Sequence, residues 1–133
     1  MIILDENIPD KQRLLLARWR IAAHQIGQNL GGKGMTDGMI IQFPHHTRRS
    51  TFFTRDFDYY RRDLRHERYC LVWLDIKAKK VAEYIRRVLR QREYNTQAKR
   101  MGSVISAAPS GLTVWKPGAE QAVQLPWTLK RRR

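Results

Sequence analysis

The pattern of apolar and polar positions predicts a chain that alternates short strands with helices. The opening run "MIIL" is apolar at every position, which is typical of a strand that is covered on both faces in a parallel sheet. Residues 51–54, "TFFT", and 69–75, "YCLVWLD", are similar runs of strand-favouring residues, and "AAHQIG" at 22–27 predicts a further strand. Helices are predicted between these runs, so the expected order is β, α, β, α, β, α, β.

Helical periodicity is clearest over residues 77–92, where apolar side chains recur every three or four positions. The inward face is predicted to hold Val81, Tyr84, Ile85, Val88 and Leu89, and the outward face Lys80, Arg86, Arg87 and Arg90. Shorter helices are predicted over 11–20, from near Thr36, and over 59–66.

Alternating strands and helices predict an α/β domain with a central, mostly parallel sheet flanked by helices. Residues 103–116 predict a terminal β-hairpin, because two apolar runs flank the turn signal "APSG". We expect one domain over residues 1–116, followed by a basic C-terminal tail over residues 117–133.

The charge of the chain is far from balanced. Its 26 lysines and arginines face 12 acidic residues, which gives a net charge of +14. The first 47 residues carry a net charge of only +1, and the remaining residues carry +13. A field of this sign attracts polyanions, so nucleic acid is the predicted partner.

Cysteine content and hydropathy predict the cellular compartment of the protein. The single cysteine, Cys70, lies within an apolar run and is expected to be a buried thiol, which fits a reducing cytoplasm. The chain opens without a basic stretch and a long apolar run, and it contains no apolar segment of 18 residues. We therefore expect a cytoplasmic protein that does not span a membrane.

Carboxylates cluster at predicted strand ends although acidic residues are scarce. Asp5 follows the first strand, Asp56 and Asp58 follow the strand at 51–54, and Asp37 lies in the first turn of a predicted helix. Ligands of open parallel sheets bind beyond the carboxyl ends of the strands. If the two strands are neighbours, Asp5, Asp56 and Asp58 converge at one edge, and the helix that carries Asp37 could deliver it to the same edge. Since clustered carboxylates repel each other, a hard divalent cation is the counter-charge that suits them best.

A basic surface around an acidic metal site is typical of phosphodiester hydrolysis, in which the surface holds the phosphate backbone and the cation activates water. Three stretches also carry a resemblance: "ILDENIP" at 3–9, "GGKGMTD" at 31–37 and "TRDFD" at 54–58. In this order, over roughly residues 1–76, they resemble the small PIN-like family of bacterial and archaeal proteins, relatives of the VapC-type ribonuclease toxins.

The resemblance implies a PIN-like three-layer domain. It also implies that one or two Mg²⁺ or Mn²⁺ ions bind Asp5, Asp37, Asp56 and Asp58, with Thr54 as a polar support. The implied activity is that of an endoribonuclease, the toxin component of a toxin–antitoxin system, which a cognate antitoxin protein would inhibit. Relatives of this kind are often dimers, so the resemblance makes a homodimer possible, and the sequence leaves the oligomeric state open.

Further side chains are expected near the site. Glu6 is expected to support the metal ligands, and Asn7 either hydrogen-bonds a ligand carboxylate or forms a turn. Guanidinium groups clamp phosphates and exposed aromatic rings stack on unpaired bases, so the arginines interleaved with aromatic residues around Phe57 predict contact with nucleic acid, either RNA or DNA. The arginines selected for nucleic-acid binding are Arg49, Arg55, Arg61, Arg62, Arg86 and Arg90.

Other functions fit the same residues. Asp5 could form a turn with its own backbone amides, and Asp56 and Asp58 could simply begin the helix that follows. The sequence does not decide whether Asp37 is a metal ligand or only begins a helix, because aspartate is an ordinary residue at the start of a helix. In that case the protein is a non-catalytic module that binds RNA or an acidic partner on the same fold. A third hypothesis is a metal-dependent small-molecule phosphatase, since "DFD" also resembles the aspartyl phosphatases.

Overall fold

The structure is a computed structural model, which describes most of the predicted elements. The described residues are 1–26, 50–59, 69–116 and 118–128. For Tyr59 the main chain alone is described. The helix predicted from near Thr36 and nearly all of the helix predicted over 59–66 lie outside the described residues.

Seven described strands form one sheet. They are β1 (Ile2–Leu4), β2 (His24–Gln25), β3 (Ser50–Thr54), β4 (Tyr69–Leu74), β5 (Val104–Ala108), β6 (Gly111–Trp115) and β7 (Val123–Leu125). Their spatial order is β2-β1-β3-β4-β5-β6-β7. The first five in this order pair in parallel, whereas β6 and β7 are antiparallel to their neighbours. The expected α/β class with a mostly parallel sheet is confirmed, and it is compatible with a three-layer fold.

The centre of the sheet follows from strands that are apolar on both faces. All five residues of β3 are buried, and β4 is buried at every position except the half-buried Trp73. β1 lies beside β3, with Ile3 opposite Phe52 in the parallel register. Both of those side chains are fully buried, so the two strands are held by packing as well as by their hydrogen-bond ladder.

The described helices are α1 (Asp10–Arg18), α2 (Val81–Arg90) and α3 (Gln97–Arg100), with 3₁₀ turns at Phe57–Tyr59, Ala78–Lys80 and Arg92–Tyr94. α2 follows the predicted periodicity, since Ile85 and Val88 are fully buried and Arg90 is exposed. It packs against α1, where the side-chain oxygen of Gln12 accepts a hydrogen bond from the Ala82 amide at 2.9 Å. None of the described helices is long and apolar enough to cross a membrane.

The direction of α2 follows from the strands that it connects. β4 and β5 are parallel, so the helix between them runs back from the carboxyl edge of the sheet to its amino edge. Contacts after the helix agree with this direction. The amino group of Met1 donates a hydrogen bond to Gln97 at 3.1 Å, and Arg100 Nε donates one to Thr51 Oγ1 at 2.9 Å. The start of α2 therefore lies near the carboxyl edge and its end near the amino edge.

The segment after residue 116 contributes to the sheet. β7 pairs with β6, and Trp127 Nε1 donates a hydrogen bond to the Ala108 carbonyl at 2.8 Å. The Trp127 ring also meets the Tyr84 ring edge-on, with 5.7 Å between centroids. The described part of the predicted basic tail thus packs on the domain, while residues 129–133 lie outside the described residues.

Gly111, at the start of β6, is a position where a side chain would not fit. Its φ is +146°, and a Cβ there would lie 2.7 Å from the Leu125 carbonyl oxygen of β7. We expect Gly111→Ala to lower the free energy of unfolding by about 2–4 kcal/mol, because it combines backbone strain with a steric clash. Urea-induced unfolding followed by circular dichroism measures this loss.

Gly118→Ala is the matched control for this substitution. Gly118 also has a positive φ, +75°, but among the described residues, its chain neighbours aside, no atom lies within 4 Å of its Cβ position. It shares the backbone strain without the clash, so its expected loss is about 1–2 kcal/mol. Equal losses for the two variants would show that the approach of β7 does not constrain Gly111.

Candidate functional site

The described parallel strands contain a point at which their order reverses. From β1 the chain passes to β2 on one side, and β3 lies on the other side of β1. The crevice beyond the carboxyl ends of the strands at such a point is where open α/β sheets bind ligands. Asp5 directly follows β1, and Asp56 is the second residue after β3. β1 and β3 are neighbours, so the condition for convergence of these strand ends is met.

Asp5 is held tightly on this edge. Its backbone amide donates a hydrogen bond to the Phe53 carbonyl at 3.0 Å, which extends the ladder between β1 and β3. The residue is only 3% exposed. Oδ2 of its carboxylate accepts a hydrogen bond from the Thr54 hydroxyl at 2.8 Å, and Oδ1 accepts a longer one from the Asn7 amide at 3.4 Å. The Thr54 hydroxyl and the Asn7 backbone amide therefore orient this carboxylate. The bond from Asn7 is also the local turn that the alternative interpretation of Asp5 expected, so the metal-site roles of Asp5, Thr54 and Asn7 stay predictions.

Thr54 connects Asp5 to the second aspartate. Its hydroxyl oxygen, which donates to Asp5, also accepts a hydrogen bond from the Asp56 amide at 3.0 Å. Oδ1 of Asp56 in turn accepts a hydrogen bond from the Asp58 amide at 3.0 Å, so Asp56 caps the 3₁₀ turn that begins at Phe57. The helix-start hypothesis for Asp56 is thus compatible with this geometry too. Asp56 is half-buried, and Asp58 is exposed.

Burial raises the pKa of the Asp5 carboxyl above its ordinary value of 3.8. The hydrogen bonds from Thr54 and Asn7 act in the opposite direction, and the charges of Asp56 and Glu6 raise the pKa further. Ionisation of Asp5 is therefore less favourable in the folded protein than in the unfolded chain. A cation at this edge would stabilise the ionised form.

The chemistry of the donor atoms fits a hard divalent cation. Asp5, Asp56 and Glu6 have carboxylate oxygens, the ligand atoms that such ions prefer. Burial is the main cause of the raised Asp5 pKa, and a divalent ion would offset both the burial of the charge and the smaller repulsion from Asp56 and Glu6. Within the described ranges, no group of three or more His, Cys, Asp or Glu side chains is placed to hold a metal ion. The ion would therefore need water, substrate phosphate or a ligand from the rest of the chain. Asp37 lies outside the described residues.

Cationic side chains lie at the same edge. Arg55 is exposed, and its Nε donates a hydrogen bond to the Ile76 carbonyl at 3.0 Å, which ties the segment after β3 to the segment after β4. Lys77 and Lys79 are exposed just before α2, whose start lies near this edge. Arg55 was selected from the sequence, but these two lysines were missed. Their position directly after a buried strand was the available signal.

Arg86 and Arg90, the predicted nucleic-acid ligands on α2, lie elsewhere. The guanidinium carbon of Arg86 lies 3.7 Å from the centre of the Trp19 ring at the end of α1, so this arginine packs between two helices. Arg90 is exposed in the last turn of α2, toward the amino edge. The structure does not bring either residue to Asp5, and their roles in RNA binding stay predictions. The remaining predicted arginines lie outside the described residues: Arg49, Arg61 and Arg62.

Gln25 is a supporting residue that pattern reasoning missed. It is buried on β2, and its amide nitrogen donates to the backbone carbonyls of Ile8 at 2.8 Å, Asp5 at 3.1 Å and Glu6 at 3.4 Å. These bonds fix the segment that carries the two acids. The available signal was an amide side chain inside an apolar strand, because a buried amide requires partners.

Comparisons of the chain with protein-family models, with curated proteins and with solved structures found no match. The PIN-like resemblance of residues 1–76 therefore stays a prediction. The candidate site is defined by its own geometry. It consists of two strand-end aspartates, a hydroxyl group that bonds the carboxylate of Asp5 and the backbone amide of Asp56, and cations at the same edge.

We expect Asp5→Asn to stabilise the fold at pH 7 in the presence of a chelator. The Asp5 pKa is raised on folding, so ionisation lowers stability as the pH rises from about 3.8 through the raised value, and the full loss persists above it. The neutral amide escapes this loss. Urea unfolding at pH 7 and at pH 3.5 should show an advantage for the variant that is present at the higher pH and disappears at the lower.

Asp75→Asn provides the matched control, because Asp75 also follows a strand at this edge but is exposed. This control should change stability by less than about 0.5 kcal/mol at either pH. An Asp5→Asn protein less stable than the wild type at pH 7 would contradict the assigned cost of the buried charge.

We expect Gln25→Leu to destabilise the fold by about 1–3 kcal/mol, because backbone carbonyls after β1 lose a buried donor. Gln124→Leu, at an exposed position of β7, is the control and should fall within about 0.5 kcal/mol of the wild type. Thermal unfolding measures both. A Gln25→Leu protein as stable as the control would show that these hydrogen bonds do not hold the segment.

Proposed function

We propose that the protein is a metal-dependent endoribonuclease. The observation that carries the proposal is the pair of carboxylates, Asp5 and Asp56, at the carboxyl ends of two adjacent parallel strands where the strand order reverses. The strong positive charge of the chain supports a polyanionic substrate. The toxin role, the cognate antitoxin and the homodimer enter the proposal through the PIN-like resemblance alone.

Each described residue of the proposed site has a distinct task. Asp5 and Asp56 would hold Mg²⁺ or Mn²⁺, with Glu6 and Asp58 nearby, and the ion would supply charge stabilisation at the scissile phosphate. The Thr54 hydroxyl keeps Oδ2 of Asp5 in one orientation through its 2.8 Å hydrogen bond. A ligand held in this way loses little conformational entropy when an ion or a phosphate binds.

The cations at the same edge would bind the phosphate backbone. Arg55, Lys77 and Lys79 are exposed and follow the central strands β3 and β4. Contacts of this kind release counterions, so binding should weaken steeply as salt rises. Arginine and lysine provide no base discrimination through phosphate contacts, so they would position the strand rather than select its sequence.

A non-catalytic RNA-binding module is the second candidate. The observation in its favour is the capping bond from Asp58 to Asp56, which gives Asp56 a structural task without any metal. The same cationic edge would then bind RNA without cleaving it. Both candidate functions predict that the protein binds RNA, but only the nuclease predicts that a metal ion leads to RNA cleavage.

We expect the purified protein to cleave labelled single-stranded RNA at low salt with Mg²⁺ or Mn²⁺, and not with a chelator. Asp5→Asn and Asp56→Asn should each reduce the cleavage rate by about 100-fold or more, the scale of loss when a catalytic group is removed. Asp75→Asn should cleave at the wild-type rate. Gel electrophoresis of the labelled RNA measures the rate, and the affinity of each variant for the RNA is measured in parallel.

Binding of RNA without cleavage in either metal would reject the nuclease and favour the binding module. Equal loss of cleavage in Asp75→Asn would show that the substitutions act through the general charge of the edge. A similar loss of cleavage in Asp5→Asn and Asp56→Asn, with folding and RNA affinity retained, would support the assignment of both residues to the metal site.

A further inference from the structure

An aromatic ring is exposed between the acids of the candidate site. Phe57 lies between Asp56 and Asp58 in the 3₁₀ turn after β3, and it is 60% exposed. Among the described large apolar side chains that are exposed, it is the single aromatic one. Exposed apolar residues are common on protein surfaces, so exposure alone does not define a site.

The support of the ring is what distinguishes Phe57 from an ordinary exposed residue. Its ring meets the Trp73 ring at 4.8 Å between centroids and at an angle of 66°. Trp73 is fixed on β4, where it pairs with Thr54 of β3, and its Nε1 donates a hydrogen bond to the Arg55 carbonyl at 3.2 Å. The exposed Phe57 ring therefore packs against the Trp73 ring, which the central strand β4 holds in place.

The neighbours of Phe57 also limit what could bind there. The exposed ring has a carboxylate on each side in sequence and the exposed Arg55 two residues away. An apolar protein partner would have to desolvate these charges. A nucleotide supplies a flat, polarisable ring and a phosphate together, so it can stack on the aromatic surface while its phosphate contacts a cation.

We infer that Phe57, supported by Trp73, is a stacking platform for an unpaired base of a single-stranded nucleic acid. This inference rests on the proposed function, because the platform receives a base beside the phosphate that Asp5 and Asp56 would act on. Bases in a duplex are already stacked and cannot reach the ring, so the platform selects single strands. The stacking chemistry is shared by RNA and DNA.

The test compares oligothymidylate of about 12 nucleotides, within the usual site size, with an abasic oligomer of the same length and phosphate number. Binding is measured by fluorescence anisotropy in chelator, so no cleavage occurs. Removal of the bases should weaken binding to the wild-type protein by about 5- to 100-fold. The same removal should change binding to Phe57→Ala by less than about twofold, because the stacking surface is gone.

Two variants control for side effects of the substitution. Phe57→Tyr keeps an aromatic ring and should retain the wild-type preference for oligomers with bases. Leu14→Ala removes another exposed apolar side chain, 57% exposed on α1, and should also retain it. A wild-type protein that binds both oligomers equally, or a Phe57→Ala protein with an undiminished preference, would overturn the platform.

Two further arms identify the ligand. Phe57→Ala should leave the affinity for a blunt duplex unchanged, and a loss there equal to the loss on single strands would overturn selection of unpaired bases. A uridine oligomer distinguishes RNA from DNA as the ligand. If Phe57→Ala lowers the affinity for the uridine oligomer more than that for oligothymidylate, the platform binds RNA. An equal loss of affinity assigns the platform to single strands of either sugar. A base preference that depends on Phe57, together with no metal-dependent cleavage, would reject the nuclease and keep the platform.

Discussion

The hydrogen bond between the Thr54 hydroxyl and the Asp5 carboxylate, 2.8 Å long, joins the ends of two strands that lie 49 positions apart in the chain. It forms only if β1 and β3 are neighbours in the correct register, and that register is fixed by buried side chains such as Ile3 and Phe52. The acceptor role of the same hydroxyl then sets the path of the backbone into Asp56. The core therefore determines the geometry of the edge, and the edge cannot be rearranged without disturbing the sheet.

A buried carboxylate beside other acids is unfavourable for stability, as the raised pKa of Asp5 indicates. Gln25 and Asn7 hold the surrounding backbone with polar contacts, but they do not supply a positive charge. An asparagine at this position would accept the Thr54 hydrogen bond but not also the one from the Asn7 amide, because its side chain has a single oxygen. The proposed divalent cation would offset the charge that the carboxylate brings to this edge.

Local patterns predicted what depends on local properties. The apolar runs located β1 to β6, and periodicity located α2, because burial on one or both faces leaves a regular signature. β7 was missed, since it lies in the segment that the sequence predicted to be a basic tail. The tasks of Gln12, Gln25 and Trp127 were not predicted, since each depends on a partner between 17 and 70 positions away. Arg86 illustrates the same limit. Its place on the outward face of the helix predicted a solvated cation, but its guanidinium group packs on Trp19 at the end of α1.

The direction of α2 changes how the positive charge should be interpreted. Counted along the sequence, Lys77 and Arg90 belong to one basic helix, but the helix runs across the sheet and places them near opposite edges. Surface charges separated by more than about 10 Å are largely screened at ordinary salt concentration. Arg90 therefore contributes to the general field of the chain, whereas Arg55, Lys77 and Lys79 lie at the carboxyl edge, where the proposed phosphate contact would be made. Position relative to the carboxyl edge, rather than abundance along the chain, decides which cations belong to the site.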